Sequence, residues 1–174
     1  LEIVNPGLYE LIITELMPDP EPTNKLPNAE YIEIYNASEK NLKLTNCTLM
    51  DNSSGGKFPE CILQADSFLI VCAFGNESLF KQYGKVIGLK GFPSLNNSAE
   101  EIFLRNTNGK LIHRVLYDIE SYGNALKAKG GWSIEMIDTK APCTLLNLIA
   151  SISTSGGTPG KTNSVNGNKN SSLS

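Results

Sequence analysis

Five carboxylates near the N-terminus are the first residues with chemistry to offer: Glu15, Asp19, Glu21, Glu30 and Glu33. Hard cations such as calcium take about six to eight oxygen ligands, and a stiff acidic loop could supply several. Pro18, Pro20 and Pro22 stiffen this one. The spacing fits no EF-hand pattern, however. The plainer reading is a solvated loop whose prolines end a strand and block edge pairing. Two of the acids could also serve glycoside hydrolysis, which needs carboxyls roughly 5–9.5 Å apart with different proton affinities. Nothing in the sequence enforces that geometry.

His113 is the single histidine. It alternates with Leu111 and Val115, which places it mid-strand in a packing role. No Gly-x-Ser-x-Gly elbow is present, and no cysteine has a motif-linked histidine. Trp132 follows Gly130-Gly131 and opens an alternating stretch, the pattern of a core anchor. Tyr31, Tyr35, Tyr83, Tyr117 and Tyr122 could form an aromatic face for a glycan or protein partner, but they read first as strand filler. Tyr31 and Tyr35 flank Glu33. If that face turns inward, Glu33 needs a buried partner. Gly91 to Ser98 and Gly156-Gly157 lack the Lys-Ser/Thr of a phosphate loop and read as turns. Sequons begin at Asn36, Asn46, Asn52, Asn76, Asn96 and Asn170, where asparagine suits turns by mimicking backbone. No catalytic residue, metal ligand or cofactor is therefore assigned, and the binding residues stay open.

The elements that would position these residues are short. Leu11-Ile-Ile-Thr-Glu-Leu16 precedes the prolines, and Glu30-Tyr-Ile-Glu-Ile-Tyr35 alternates. Ile32 and Ile34 share one face; Tyr31, Glu33 and Tyr35 share the other. Further strands are expected near 42–50, 57–63, 67–74, 85–89, 100–105, 111–117 and 131–137. That spacing is the signature of a sandwich or barrel. Ser78 to Tyr83 could form one helical turn. Asn108-Gly109 predicts a hairpin, because both residues tolerate positive φ. A second hairpin around Asn52 to Gly56 would pair Asp51 with Lys57 and set Cys47 opposite Cys61.

The chain has 174 residues, with 15 Lys+Arg against 18 Asp+Glu and a formal charge of −3. No basic stripe stands out, so nucleic-acid binding by counterion release has no support. No apolar run approaches the roughly 20 residues of a membrane helix. The four cysteines, Cys47, Cys61, Cys72 and Cys143, form no CxxC pair. With one histidine they do not complete a usual zinc set. An even count permits two disulfides, which an oxidising compartment would favour. Four buried thiols are the alternative. From Ser151 apolar residues almost vanish, and 163–174 reads as a disordered linker to a neighbouring domain. The expected organisation is a lead-in over 1–9, one domain over 10–162 and a tail over 163–174.

The segment Leu11-Ile-Ile-Thr-Glu-Leu-Met-Pro-Asp-Pro20, followed by Leu26-Pro-Asn-Ala-Glu-Tyr-Ile-Glu-Ile-Tyr-Asn36, resembles the opening of bacterial lamin-tail domains. Three later blocks agree: Gly91-Phe-Pro-Ser-Leu-Asn-Asn-Ser98, Gly130-Gly-Trp-Ser-Ile-Glu-Met-Ile-Asp138, and Ser155-Gly-Gly-Thr-Pro-Gly160 with Asn163-Ser-Val165. The resemblance implies an all-β, immunoglobulin-like β-sandwich of about 8–9 strands. It also implies a module of secreted or surface proteins of Bacteroidetes-type bacteria, and it does not imply catalysis. Cys47 stands where relatives often have Trp, and Leu148-Ile149 stand where they often show Asn-Trp. Relatives often carry Cys at the positions of Cys72 and Cys143, which gives a second, competing pairing.

The expectation is a non-catalytic interaction or structural module, extracytoplasmic, whose partners are neighbouring domains of a parent protein or an extracellular protein or glycan. Two alternatives stand beside it: a calcium-dependent adhesion or glycan-binding module, and an accessory domain of a secreted hydrolase. DNA or chromatin binding by animal relatives does not transfer, since no basic patch supports it.

Overall fold

The computed structural model describes residues 2–167. Thirteen strands appear among these described residues, several of two or three residues. They are β1 (Ile3–Val4), β2 (Leu11–Met17), β3 (Tyr31–Asn36), β4 (Asn41–Lys43), β5 (Thr48–Met50), β6 (Gly55–Lys57) and β7 (Ile62–Leu63), then β8 (Phe68–Ala73), β9 (Val86–Leu89), β10 (Ala99–Arg105), β11 (Leu111–Asp118), β12 (Ile134–Met136) and β13 (Leu148–Ala150). One helical turn, α1 (Glu77–Phe80), lies between β8 and β9, overlapping the expected turn.

A six-stranded sheet, in the order β13-β12-β2-β3-β8-β9, packs on a four-stranded sheet, β11-β10-β5-β6. A third sheet, β1-β4-β7, closes one side. The expected sandwich is present. The strand number exceeds 8–9 because the expected stretches 42–50 and 57–63 each break into two short strands and because β1 and β13 were not foreseen. The main core lies between the large sheets. Ile32, Ile34, Leu69 and Val71 come from one sheet; Leu49, Ile102, Leu104 and Val115 come from the other. The alternation read from β3 holds, since Ile32 and Ile34 face this core. Tyr31 faces away, yet it too is buried, in a second cluster with Met17, Leu26, Ile70, Cys72 and Phe80.

The Asn108-Gly109 hairpin forms between β10 and β11. Gly109 has φ +75°, and the Asn106 side-chain oxygen accepts from the amides of Asn108 and Lys110 at 3.0 and 3.1 Å. The second hairpin closes in a different register. Thr48 pairs with Lys57 and Met50 with Gly55. Asp51 is not paired with Lys57. It folds the turn instead, its carboxylate accepting from the amides and hydroxyls of Ser53 and Ser54. A turn tied by its own aspartate closes earlier than one built on the glycines, and the register moves with it. The Cys47 carbonyl therefore accepts from the Phe58 amide, while the Cys61 carbonyl accepts from Leu44. All four cysteines are free thiols, Cys47, Cys61 and Cys72 buried and Cys143 exposed.

Both ends of the described chain join the domain. The expected lead-in supplies β1, which pairs in parallel with β4, and the Tyr9 amide donates to the Ile112 carbonyl at 2.8 Å. The expected linker does not begin at 163. Asn163 and Val165 are buried, and the Asn163 side chain donates through Nδ2 to the carbonyls of Thr14 and Met136 at 2.8 and 2.9 Å. The rest of that expected tail, 168–174, lies outside the described residues.

Candidate functional site

Three strands place a row of carboxyls on the face of the six-stranded sheet that turns away from the main core. Glu135 of β12 is the register partner of Glu15 on β2, and Glu15 is the partner of Glu33 on β3. All three are 0% exposed. A carboxylate removed from water needs donors. Most of those donors come from one late segment of the chain, residues 156–165.

Glu15 Oε1 accepts from the Thr158 amide at 2.8 Å, from Ser133 Oγ at 2.6 Å and from Tyr31 Oη at 2.7 Å. Glu33 accepts from the Gly160 amide at 2.6 Å and from Thr14 Oγ1 at 2.8 Å. Glu135 accepts from Thr158 Oγ1 at 2.8 Å, from Ser164 Oγ at 2.7 Å and from the Val165 amide at 3.1 Å. Residues 156–165 thus form a strap across the row.

Glycine lets the strap lie this close. A Cβ on Gly157 would stand 2.6 Å from Glu15 Oε1 and 2.7 Å from Tyr31 Oη. Gly160 has φ +82°, and a Cβ there would stand 1.8 Å from the Tyr83 carbonyl oxygen. Both distances are well inside van der Waals contact.

Burial, and then the charge of Glu135, pushes the Glu15 carboxyl up to about 7. Burial and the charge of Glu15 raise Glu33 well above the usual carboxylate range. Burial likewise raises the Tyr31 phenol. Glu15 Oε2 is sealed from solvent and has no hydrogen-bond partner. An oxygen so placed is better neutral than anionic.

The five acids singled out in the sequence do not converge. Glu15 and Glu33 enter the buried row. Asp19 accepts from the Glu21 amide, Glu21 from the Asn28 side chain, and Glu30 from the Leu95 amide across the molecule. Among the described residues no three His, Cys, Asp or Glu side chains are grouped to hold a metal ion. Glu33 meets the condition set for an inward-facing acid, since Thr14 and Gly160 are its buried partners.

His113 is 1% exposed and joins three elements. Its Nδ1 accepts from the Ile13 amide at 3.0 Å, beside the irregularity in β2. That assigns the neutral tautomer with the proton on Nε2, which lies 3.3 Å from the Pro142 carbonyl. Burial pulls its proton affinity down to about 4. Trp132 is partly buried against the core, with Lys127 Nζ 4.3 Å above its ring. Of the five tyrosines singled out in the sequence, Tyr31, Tyr117 and Tyr122 are buried, so the five form no common exposed face. Asn36 is a structural asparagine. Its amide donates to the carbonyls of Lys40, Leu63 and Gln64 at 2.8–3.0 Å.

Sequence reasoning missed Glu135, Thr158 and Ser164. The available signal was the alternation in Ile134-Glu-Met136, which puts a glutamate on the face opposite two core residues.

The family model described as Lamin Tail Domain matches residues 6–118, more than half of the chain. The chain belongs to the lamin tail domain family. Its immunoglobulin-like sandwich is the architecture described above, and the family is one of non-catalytic modules. No curated protein matches the chain. The lamin-tail match takes in β2 through β11 but ends before β12 and the strap. Two of the three row carboxyls therefore lie within the match, and most of their donors lie beyond it.

Proposed function

We propose that this lamin tail domain is a non-catalytic interaction or structural module of a secreted or cell-surface bacterial protein, acting on neighbouring domains or on an extracellular protein or glycan. The observation that carries this reading is positional. The groups best suited to acid–base chemistry, Glu15, Glu33, Glu135 and His113, are all buried and hydrogen-bonded within the fold. They act on the domain itself and not on a substrate. Asp19, Glu21 and Glu30 each accept a hydrogen bond from within the protein, which gives the calcium-dependent reading no comparable support.

The surface that supports contact is a loop between β12 and β13. Leu145 and Leu146 are each 89% exposed at its tip. The loop beneath them is firmly tied. The Asn147 side chain donates to the carbonyls of Asp138 and Ala141 and accepts from the Asp138 amide. Two leucines held out by an ordered loop are a suitable apolar anchor for a partner surface.

Amine-reactive cross-linking on intact cells tests the reading, because exposed Lys140 stands in the same loop. The expected result is a link from Lys140 to another domain or another protein, formed by a reagent that does not cross the membrane. Protection of the domain from that reagent in intact cells, with labelling only after lysis, would overturn the surface assignment.

A further inference from the structure

The row of carboxyls carries a second consequence, independent of any partner. We propose that residues 156–165 form a latch that protons on Glu15 and Glu33 keep closed and that opens as those protons leave. Glu15 Oε1 already takes three donors, while Oε2 is sealed and has none. A neutral carboxyl places its proton on Oε2; an anionic one leaves a bare charge in a dry site.

The neighbours do not relieve that charge. Glu135 approaches from β12, and Glu33 and the Tyr31 phenol approach from β3. Helix α1 is followed by Tyr83, whose carbonyl backs Gly160. Among the described residues Lys127 feels the charge of Glu135, and its ammonium is bonded instead to the Ser151 carbonyl. Lys161 of the latch is exposed. Among the described residues the ion pairs are Lys40–Glu10 and Arg114–Glu101, neither of which touches the row. With the protons gone, three like charges on adjacent strands face one another under a polar cover.

The strands do not separate in response, because β2 and β3 also hold the main core through Leu16, Ile32 and Ile34. The cover is the part able to move. It is held by five hydrogen bonds to these carboxyls, by the Asn163 side chain on the carbonyls of Thr14 and Met136, and by the Ser133 and Ile152 amides donating to the Gly156 carbonyl and to Ser164 Oγ, with Pro159 and Val165 as its buried apolar side chains. In the open state the carboxyls meet water and return to ordinary acidity. The closed state therefore binds protons more tightly, and its advantage falls as pH rises from the ordinary carboxylate range through neutrality.

Hydrogen exchange on the full chain, corrected for intrinsic rates, tests the latch between about pH 5 and about pH 8. The informative amides are Thr158, Gly160 and Val165, and amides in β10 and β11 serve as the reference. Latch protection relative to the reference should fall by up to about tenfold per pH unit for each proton released. Glu15→Gln copies the neutral carboxyl in shape and should flatten that slope while the latch stays closed. Glu33→Gln gives the same readout at the second position. Latch amides that follow the reference at every pH would overturn the proposal, as would a glutamine variant that keeps the wild-type slope.

Discussion

His113 shows how a single side chain can be mistaken for a reagent. It is the chain's only imidazole, yet the structure uses it as a bridge between sheets. Its Nδ1 answers the Ile13 amide at the irregularity of β2. Replacing it with Phe keeps a ring but leaves that amide unpaired, at a cost of about 1–3 kcal/mol. Urea unfolding at neutral pH measures the loss. The pH dependence separates this role from simple packing. Burial holds the folded-state affinity at about 4, below the ordinary histidine value of 6.5. The folded state thus binds fewer protons between those values, and this contribution to stability is lost as pH falls from 6.5 towards 4. The variant should lack that component. An unchanged acid limb in His113→Phe would refute the bridge. In the sequence, alternation with Leu111 and Val115 revealed that the residue packs. It did not reveal what the residue bonds, because Ile13 lies 100 positions away.

At the scale of elements, two glycines of positive φ make a controlled comparison. Gly109 sits in the β10–β11 turn, where an added Cβ meets nothing within 4 Å. Gly160 sits in the strap, where the same Cβ would collide with the Tyr83 carbonyl. Gly109→Ala should cost only backbone strain, about 1 kcal/mol. Gly160→Ala adds a collision that backbone must absorb, so its cost should be several-fold larger. It should also lower hydrogen-exchange protection in the strap before it affects β10 and β11. Equal costs for the two substitutions in chemical denaturation would contradict this account. The two turns also mark what local sequence makes legible. Asn108-Gly109 announced its hairpin because the turn chemistry is contained in the dipeptide. The Asn52 to Gly56 hairpin slipped because Asp51 captured Ser53 and Ser54, an arrangement that competes with the glycines for the turn. With that slip went the expected facing of Cys47 and Cys61.

For the whole molecule, the boundaries of the family match and of the folded unit differ. The match ends at Asp118, but β2 lies between β3 and β12 in the sheet. A chain ending at Asp118 would lack β12, β13 and the strap. It would expose one edge of β2 and leave Glu15 and Glu33 without Ser133, Thr158 and Gly160. Such a truncation should fail to give a cooperative thermal transition, whereas residues 2–167 should unfold in one step; circular dichroism with calorimetry distinguishes them. A sharp transition in the shorter chain would show the C-terminal third to be dispensable. The resemblance carried by Ser155 to Gly160 and by Asn163 to Val165 had placed these blocks in the family pattern. Composition alone assigned Asn163 onwards to a linker, because glycine, serine, threonine and asparagine look the same in a free tail and in a strap hydrogen-bonded to buried acids.

The bond from the Thr158 amide to Glu15 spans 143 positions of chain. It also sets a schedule for biogenesis. A ribosome or secretion channel releases the N-terminal strands first, and β2 must wait with one edge unpaired until nearly the whole domain has emerged. Contacts of such long sequence separation make folding slow and leave strand edges open to aggregation in the meantime. With one glutamate each, β2 and β3 are better suited to that wait than uniformly apolar strands would be. The same glutamates that the finished fold must bury keep the nascent chain charged and soluble until their donors arrive.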